Sequence, residues 1–411
     1  MNRKFIFAFA AVAAMFGSAM LTSCSSDDEI ASNSPVNPVN DRISYNVGFD
    51  GKVTRGLGLS SSDLTNEGLI PNMQVWAYYA PDAQGTGVTA GAMYIGKDAN
   101  TGITVTNTGG VWQEDAQYTA YWPAETATLN FQAIAPATHE SITSITNDKE
   151  NDLAHMVANV TIPQENAKQV DILMANTDKV TKGTSSRKVQ FNFKHVLSQI
   201  RFSVKTASEQ VSGEIKGISL CNIKETGTVG FHKGDDTGDA ANNYAVALVQ
   251  HEPADLTRNT EYPIGMIADG TFDSEYFVGK AGEGYPKVKD MTAANGSLLL
   301  LAQNTTKWAT VDGNPASIAT ANAAYNTYIK VYCKIKNGDT YLVGSESAFG
   351  EVYIPFAANW QMGKKYVYTI NIGTGNGGFD ADGNPLIMPI KYEVTSVDDW
   401  TDGTIASQPE I

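Results

Sequence analysis

Apolar and polar residues alternate with a period of two along most of this chain. Ile43, Tyr45, Val47 and Phe49 interleave with Ser44, Asn46, Gly48 and Asp50. Successive side chains of a strand point to opposite faces, so the segment predicts a strand with one buried face. The same pattern runs through Met73 to Tyr79, through Leu129, Phe131, Ala133 and Ala135, and through Val189, Phe191 and Phe193. It breaks at His195 to Ser198 and resumes out of phase at Ile200, Phe202 and Val204, which predicts a helical turn or a bulge between two strands. Ile329, Val331, Cys333 and Ile335 repeat it, and so do Tyr366, Tyr368, Ile370 and Ile372. Many short strands parted by Gly-, Asn-, Asp- and Thr-rich turns predict an all-β chain of antiparallel β-sandwiches. No sequence repeat of fixed period points to a solenoid or propeller.

Composition narrows the function classes. The 411 residues carry 29 Lys plus Arg against 44 Asp plus Glu, a formal charge of -15. Nucleic-acid binding needs clustered cations to neutralise phosphate, and none cluster here. The length suits two domains. Lys, Gly, Thr and Ser between Thr181 and Arg187 interrupt two apolar strands, so the expected division is 43–185 and 186–411.

The amino terminus carries an export pattern. Arg3 and Lys4 precede an apolar run from Phe5 to Met20, which reads as a removable signal peptide over 1–23. Leu21-Thr22-Ser23-Cys24 resembles the lipobox of bacterial lipoproteins, which makes Cys24 the expected lipidation site and the first mature residue. Several acyl chains on one cysteine anchor far more firmly than one. Asp27-Asp28-Glu29 resembles a surface-export signal of such lipoproteins; it also reads simply as part of a solvated tether over 24–42, rich in Ser, Asn and Pro.

Chemistry-bearing motifs are scarce. G-x-S-x-G, H-E-x-x-H and C-x-x-C do not occur, and the five histidines lie apart. His195, beside Phe191 and Phe193, reads as a buried, hydrogen-bonded structural residue. Gly373, Gly375 and Gly378 match a dinucleotide spacing, yet the following residues cannot open a helix, so a hinge is expected there. Asp380 to Asn384 imitates a calcium loop but has Pro385 and Lys391 where that loop needs Gly and Glu. Asp235, Asp236 and Asp239 read as a solvated turn. Neither an enzyme activity, a cofactor nor a metal is expected. Cys221 and Cys333 read as free buried thiols, with a disulfide as the alternative for an exported protein.

Several phrases together resemble the fimbrillin-like subunits of type V pili. They are Val75-Trp76-Ala77-Tyr78-Tyr79, Tyr121-Trp122-Pro123, Leu129 to Pro136, Asp171 to Ala175 and Phe193 to Ile200. Leu298 to Gln303, Val352 to Phe356, Trp360, Gly363 to Ile370 and Val397 to Trp400 continue the series. The resemblance implies two transthyretin-like β-sandwich domains in tandem, lipoprotein export to the outer membrane and proteolytic maturation at an arginine. It also implies assembly by strand exchange with other pilus subunits, which places the chain in a shaft or accessory tip that supports adhesion.

The residues themselves support both ends of that mechanism. Arg55 follows the strand Ile43, Tyr45, Val47, Phe49 within a Gly-rich stretch, so a cut there would remove strand and lipid together. The alternative is an ordinary surface arginine; a cut at Arg42 would leave the strand attached. Leu386, Met388, Ile390, Tyr392 and Val394 alternate with mostly polar residues, which makes 386–400 a candidate donor strand. The alternative is pairing within its own second domain. The rival function is a monomeric surface lipoprotein that binds glycans through its aromatic residues.

Overall fold

A computed structural model describes residues 41–49, 72–80, 89–123, 127–150, 153–182, 188–206, 209–233, 246–250, 253–264, 277–279, 288–292, 297–308, 310–311, 314–374, 377–386 and 390–399. The described chain is almost entirely β; its one α-helix among these residues is Ile318–Ala323, capped by the Ser317 hydroxyl, which accepts from the Thr320 amide.

An eight-stranded sheet organises the first half. Its order is Ser44–Phe49, Lys188–His195, Leu173–Thr181, Thr128–Ala135, Asn72–Tyr79, Ile103–Thr108 and Val111–Glu114, with Met93–Ile95 also pairing to Asn72–Tyr79. One face forms a closed core from Val75, Leu129, Phe131, Val189, Phe191, Phe193 and their neighbours. Trp76, Tyr78, Ile134 and Met174 on the other face join a second, larger core. All eight residues of Thr128–Ala135 are therefore buried, as expected of a strand covered on both sides.

The second core lies mainly between two sheets of the carboxyl half. One contains Val288–Asp290, Leu197–Thr206, Lys364–Ile372 and Ile390–Asp399, with Leu298–Leu301 also on Leu197–Thr206. The other contains Glu261–Ile264, Val211–Cys221, Tyr328–Asn337 and Thr340–Val343, with Phe277–Gly279 and Gly350–Pro355 attached. Phe202, Val204, Ile370 and Ile372 meet Ile215, Ile218, Val331 and Cys333 in this core. The sheets approach so closely that a Cβ on Gly213 would stand 2.7 Å from Ile372 Cδ1. Glycine makes that spacing possible.

Two features depart from a simple pair of antiparallel sandwiches. The strand Lys188–His195, on the carboxyl side of the expected division at 185/186, belongs to the first sheet. The reason is Val189, Phe191 and Phe193, which complete the first core. The chain then changes sheets across Val196 alone, so the loss of phase after His195 is neither a helical turn nor a bulge. Secondly, Ser44–Phe49 pairs parallel to Lys188–His195, and Leu197–Thr206 pairs parallel to Lys364–Ile372. Parallel neighbours need long connections, and here more than a hundred residues intervene in each case.

A four-stranded sheet joins the halves. Its order is Val246–Gln250, Thr226–Lys233, Leu153–Thr161 and Ile142–Glu150. Thr226–Lys233 from the second half thus pairs with Leu153–Thr161 from the first. Ile145, Met156, Ala158, Val160 and Val229 enter the large core together.

Cys221 and Cys333 are free and buried. Cys221 stands opposite Tyr328, five residues along the strand from Cys333. At about 3.4 Å per residue the two sulfurs' strand positions are roughly 17 Å apart, far beyond the reach of a disulfide. Burial pushes the Cys221 thiol up to about 12 and raises that of Cys333 as well, so both are inert at neutral pH.

A Cβ at Gly230 would lie 2.6 Å from the Met156 carbonyl oxygen and 2.9 Å from Val157 Cα. Both are backbone atoms of the paired strand and cannot rotate away. Gly230→Ala is expected to destabilise the chain by about 1–3 kcal/mol, read as a lower urea midpoint at unchanged slope. An unchanged midpoint would mean that the halves are not joined by this close pairing.

Candidate functional site

The candidate site is the first strand and the groove it fills. Ser44–Phe49 runs beside Lys188–His195 in the register Ser44↔Lys188 to Phe49↔Phe193. Period-two alternation sends Ile43, Tyr45 and Val47 inward, where all three are buried in the first core, while Asn46 stays at the surface and donates from its amide to Gln190 Oε1. The Tyr45 ring stacks on Phe191 with centroids 6.1 Å apart and planes 16° apart. Three such side chains bury a gross 5–9 kcal/mol, at roughly 1.5–3 kcal/mol each. Phe49 holds its place in the ladder.

On its other side the strand's entry closes the sheet. The Ile43 amide donates to the Ala120 carbonyl at 2.9 Å, and the Trp122 amide donates to the Asp41 carbonyl at 2.7 Å. Arg42 and Tyr121 form the bridge between them. Charge fixes the same corner: Arg42 Nε lies 3.3 Å from Glu114 Oε1 and Lys182 Nζ lies 2.8 Å from Asp41 Oδ1. The Glu114 side chain is only 1% exposed and also accepts from the Ala120 amide at 3.2 Å. Withdrawing the strand would leave a row of unpaired backbone groups along Lys188–His195, an apolar slot, and a buried carboxylate deprived of its cation.

The Tyr45 hydroxyl has no hydrogen-bond partner although it is buried. Burial, with the Glu114 charge acting in the same direction, raises its pKa well above the ordinary tyrosine value. The resident strand therefore fits the groove by shape while carrying one uncompensated polar group. Alternation found this residue; its orphaned hydroxyl is a property of the packed core.

The carboxyl-terminal segment lies in its own half. Ile390–Asp399 pairs antiparallel with Lys364–Ile372 and forms an edge of that sheet. Ile390 is buried, and Tyr392 packs on Phe356 and Tyr368 with centroids 5.2 and 6.1 Å away. Leu386 packs partly buried against the same core. Val394 is 53% exposed, and the ladder shifts register just after it. The glycines before this strand do not form an open hinge: the Gly377 amide donates to the Ile390 carbonyl at 2.9 Å, and a Cβ on Gly378 would stand 2.6 Å from Ile390 Cγ2. Gly377 and Gly378 are small because a strand passes over them; Gly375 lies outside the described residues.

Cys24, Arg55, Met388 and Trp400 lie outside the described residues, as do Asp235, Asp236 and Asp239. Asp380 Oδ1 accepts from the Asp382 and Asn384 amides at 3.0 and 2.8 Å, so its loop is closed by its own backbone. His195 is buried with Nδ1 2.7 Å from Asp171 Oδ2, a structural contact beside the sheet switch. Five of the six tryptophans, at 76, 112, 122, 308 and 360, are buried in cores.

A profile described as fimbrillin-like matches residues 71–387, most of the described strands. The chain belongs to the fimbrillin-like family. Among solved structures, a fimbrial protein from Bacteroides vulgatus is 14% identical with a TM-score of 0.52, covering 88% of this chain and 100% of that one. Candidate cell adhesion proteins from Bacteroides ovatus and Bacteroides uniformis are 16% and 14% identical with TM-scores of 0.40 and 0.38; they cover 87% and 88% of this chain and 96% and 99% of their own. Fold agreement rests on the first of these. No curated protein matches the chain. Membership of the fimbrillin-like family supports a pilus-subunit role at the cell surface. Among the described residues no helix is long and apolar enough to cross a membrane.

Replacing Tyr45 by Phe in this fimbrillin-like chain removes the orphaned hydroxyl and keeps the stacked ring. Stability should rise by about 1 kcal/mol, seen as a higher melting temperature. A fall of similar size would show that the hydroxyl is satisfied.

Proposed function

We propose that this fimbrillin-like protein is a structural pilus subunit assembled by strand exchange after proteolytic removal of its first strand. The observation that carries this reading is the burial of Ile43, Tyr45 and Val47 in a core otherwise built from residue 73 onward. A single cut between Phe49 and Asn72 separates that strand from the rest of the fold. Arg55 is the proposed site. Arg42 suits a protease poorly, since its backbone is bridged to Tyr121 and its guanidinium is engaged by buried Glu114. The acceptor groove then takes a strand by main-chain pairing, with alternate side chains filling its pockets.

The proposed donor is Leu386 to Val394 of a second copy. Ile390-x-Tyr392-x-Val394 repeats the residue types and spacing of Ile43-x-Tyr45-x-Val47, so the same pockets would receive the same side chains. Donation requires this strand to leave Lys364–Ile372; as an edge strand it gives up one ladder only. Such an exchange suits a shaft or accessory tip position. Cys24 would hold the precursor in the outer membrane until the cut. The burial of five tryptophans supports this reading over a monomeric glycan binder, which would need exposed aromatic platforms.

Arg55→Ala should give a folded monomer that no longer assembles when treated with a trypsin-like protease. Amino-terminal sequencing of assembled material reports the cut; fibres that begin at Cys24 would overturn the reading. Cys24→Ser should lose incorporation of a fatty-acid analogue and leave the outer-membrane fraction. Continued labelling of that variant would disprove lipidation at Cys24.

A further inference from the structure

The outer face of the carboxyl-half sheet gathers a lysine, an asparagine and a glutamate on three neighbouring strands. Lys205 on Leu197–Thr206 stands directly opposite Asn371 on Lys364–Ile372. Glu393 lies on Ile390–Asp399, the strand on the other side of Lys364–Ile372, opposite Thr369. Lys205 Nζ is 2.6 Å from Glu393 Oε1. Their two strands flank the central one, and neighbouring strands lie about 4.8 Å apart, so this contact crosses over the central strand. The residues of the central strand beneath that contact are Thr369 and Asn371.

Asn371 is 1% exposed, and neither its amide nitrogen nor its oxygen makes a hydrogen bond of normal geometry. Thr369 is already paired through its hydroxyl with Thr395. A buried amide whose polar contact is a loose one to Glu393 is under-satisfied and asks for an explanation. Lys391, also opposite Asn371, is exposed and remains solvated. Lys205 and Glu393 are partly shielded, with side chains 30% and 40% exposed. The hydrogen bond from Lys205 is the main cause that holds the Glu393 carboxyl below its ordinary range, with Asn371 contributing.

We propose that Lys205 and Asn371 form an intramolecular isopeptide bond, with Glu393 as the proton carrier. Glu393 takes a proton from the Lys205 ammonium, which frees the amine lone pair to attack Asn371 Cγ. The Nζ–Cγ bond forms. In the tetrahedral intermediate Nζ loses a second proton, Glu393 returns its own to Nδ2, and the Cγ–Nδ2 bond breaks. Ammonia leaves and takes up the second proton as ammonium; the products are a secondary amide and the original carboxylate. No oxidant or cofactor enters the balance. Proximity supplies most of the acceleration, as in other intramolecular reactions between held groups.

The bond would tie Leu197–Thr206 to Lys364–Ile372 across the parallel ladder, closing a covalent loop of 371 − 205 = 166 residues. It is independent of strand exchange at the first groove. It does require the carboxyl-terminal strand to be docked in its own sheet when the bond forms, because Glu393 comes from that strand.

The test is intact mass of the denatured full-length chain, followed by peptide mapping. The expected result is a chain lighter by one ammonia and a branched peptide joining Lys205 to Asn371. Glu393→Gln and Lys205→Arg should each restore the full mass. Their melting temperatures should drop by roughly 10 °C through loss of the covalent loop, with circular dichroism verifying the β fold. Recovery of the Lys205 and Asn371 peptides as separate, unmodified species from wild-type protein would overturn the proposal, whatever the variants do.

Discussion

Between Ser44–Phe49 and Lys188–His195 a parallel ladder presses Ile43, Tyr45 and Val47 into the first core. Every other feature of the amino-terminal half is arranged around that insertion. The sheet is long enough to bring its far side, Val111–Glu114 and the residues to Trp122, back to the strand's entry, where backbone bonds and the Arg42–Glu114 contact close it. The strand thus covers the edge of Lys188–His195 that would otherwise be open. One short strand, connected to the rest by residues 50–71, supplies that closure. Its removal therefore opens a groove beside Lys188–His195 without cutting any other described element.

The carboxyl half follows a different rule. Its core is a face-to-face sandwich, and its parallel pair, Leu197–Thr206 with Lys364–Ile372, lies inside a sheet. The chain crosses from one half to the other at Val196 and again through the four-stranded sheet, so the halves share hydrophobic contacts instead of a simple linker. Inward positions are aliphatic and aromatic, whereas the outward face carries Arg201, Ser203, Lys205, Thr369 and Asn371, several of them buried. Charge pairing on that face, Arg201 with Asp290 and Lys205 with Glu393, ties three of four successive strands, the second pair reaching across Lys364–Ile372.

Much of the strand content was legible. Ile43 to Phe49, Met73 to Tyr79, Val189 to Phe193 and Tyr366 to Ile372 occupy strands as their alternation predicts. Trp76, Trp122 and Trp360 are core residues, and His195 is buried with a carboxylate partner. The division at 185/186 was drawn at a polar break in the chain, but Val189, Phe191 and Phe193 follow the break and pack with the strands before it. The glycines near Ile390 read as a hinge in sequence, because composition alone cannot distinguish backbone freedom from close packing under a neighbouring strand.

The sequence by itself determined that the chain is β-rich and which faces of its strands are apolar, since both depend on local order. Only the tertiary structure decided partnership. Period-two alternation says that a side chain is inward without saying into which core, so it could not assign Lys188–His195 to the first sheet or make two of the strand pairs parallel. Nor could it place Lys205 on one face with Asn371 and Glu393, because Lys205 precedes both by more than a hundred residues and meets them only through ladder register. The orphaned Tyr45 hydroxyl is of the same kind: burial without a partner is a fact about surroundings, and surroundings are assembled from distant parts of the chain.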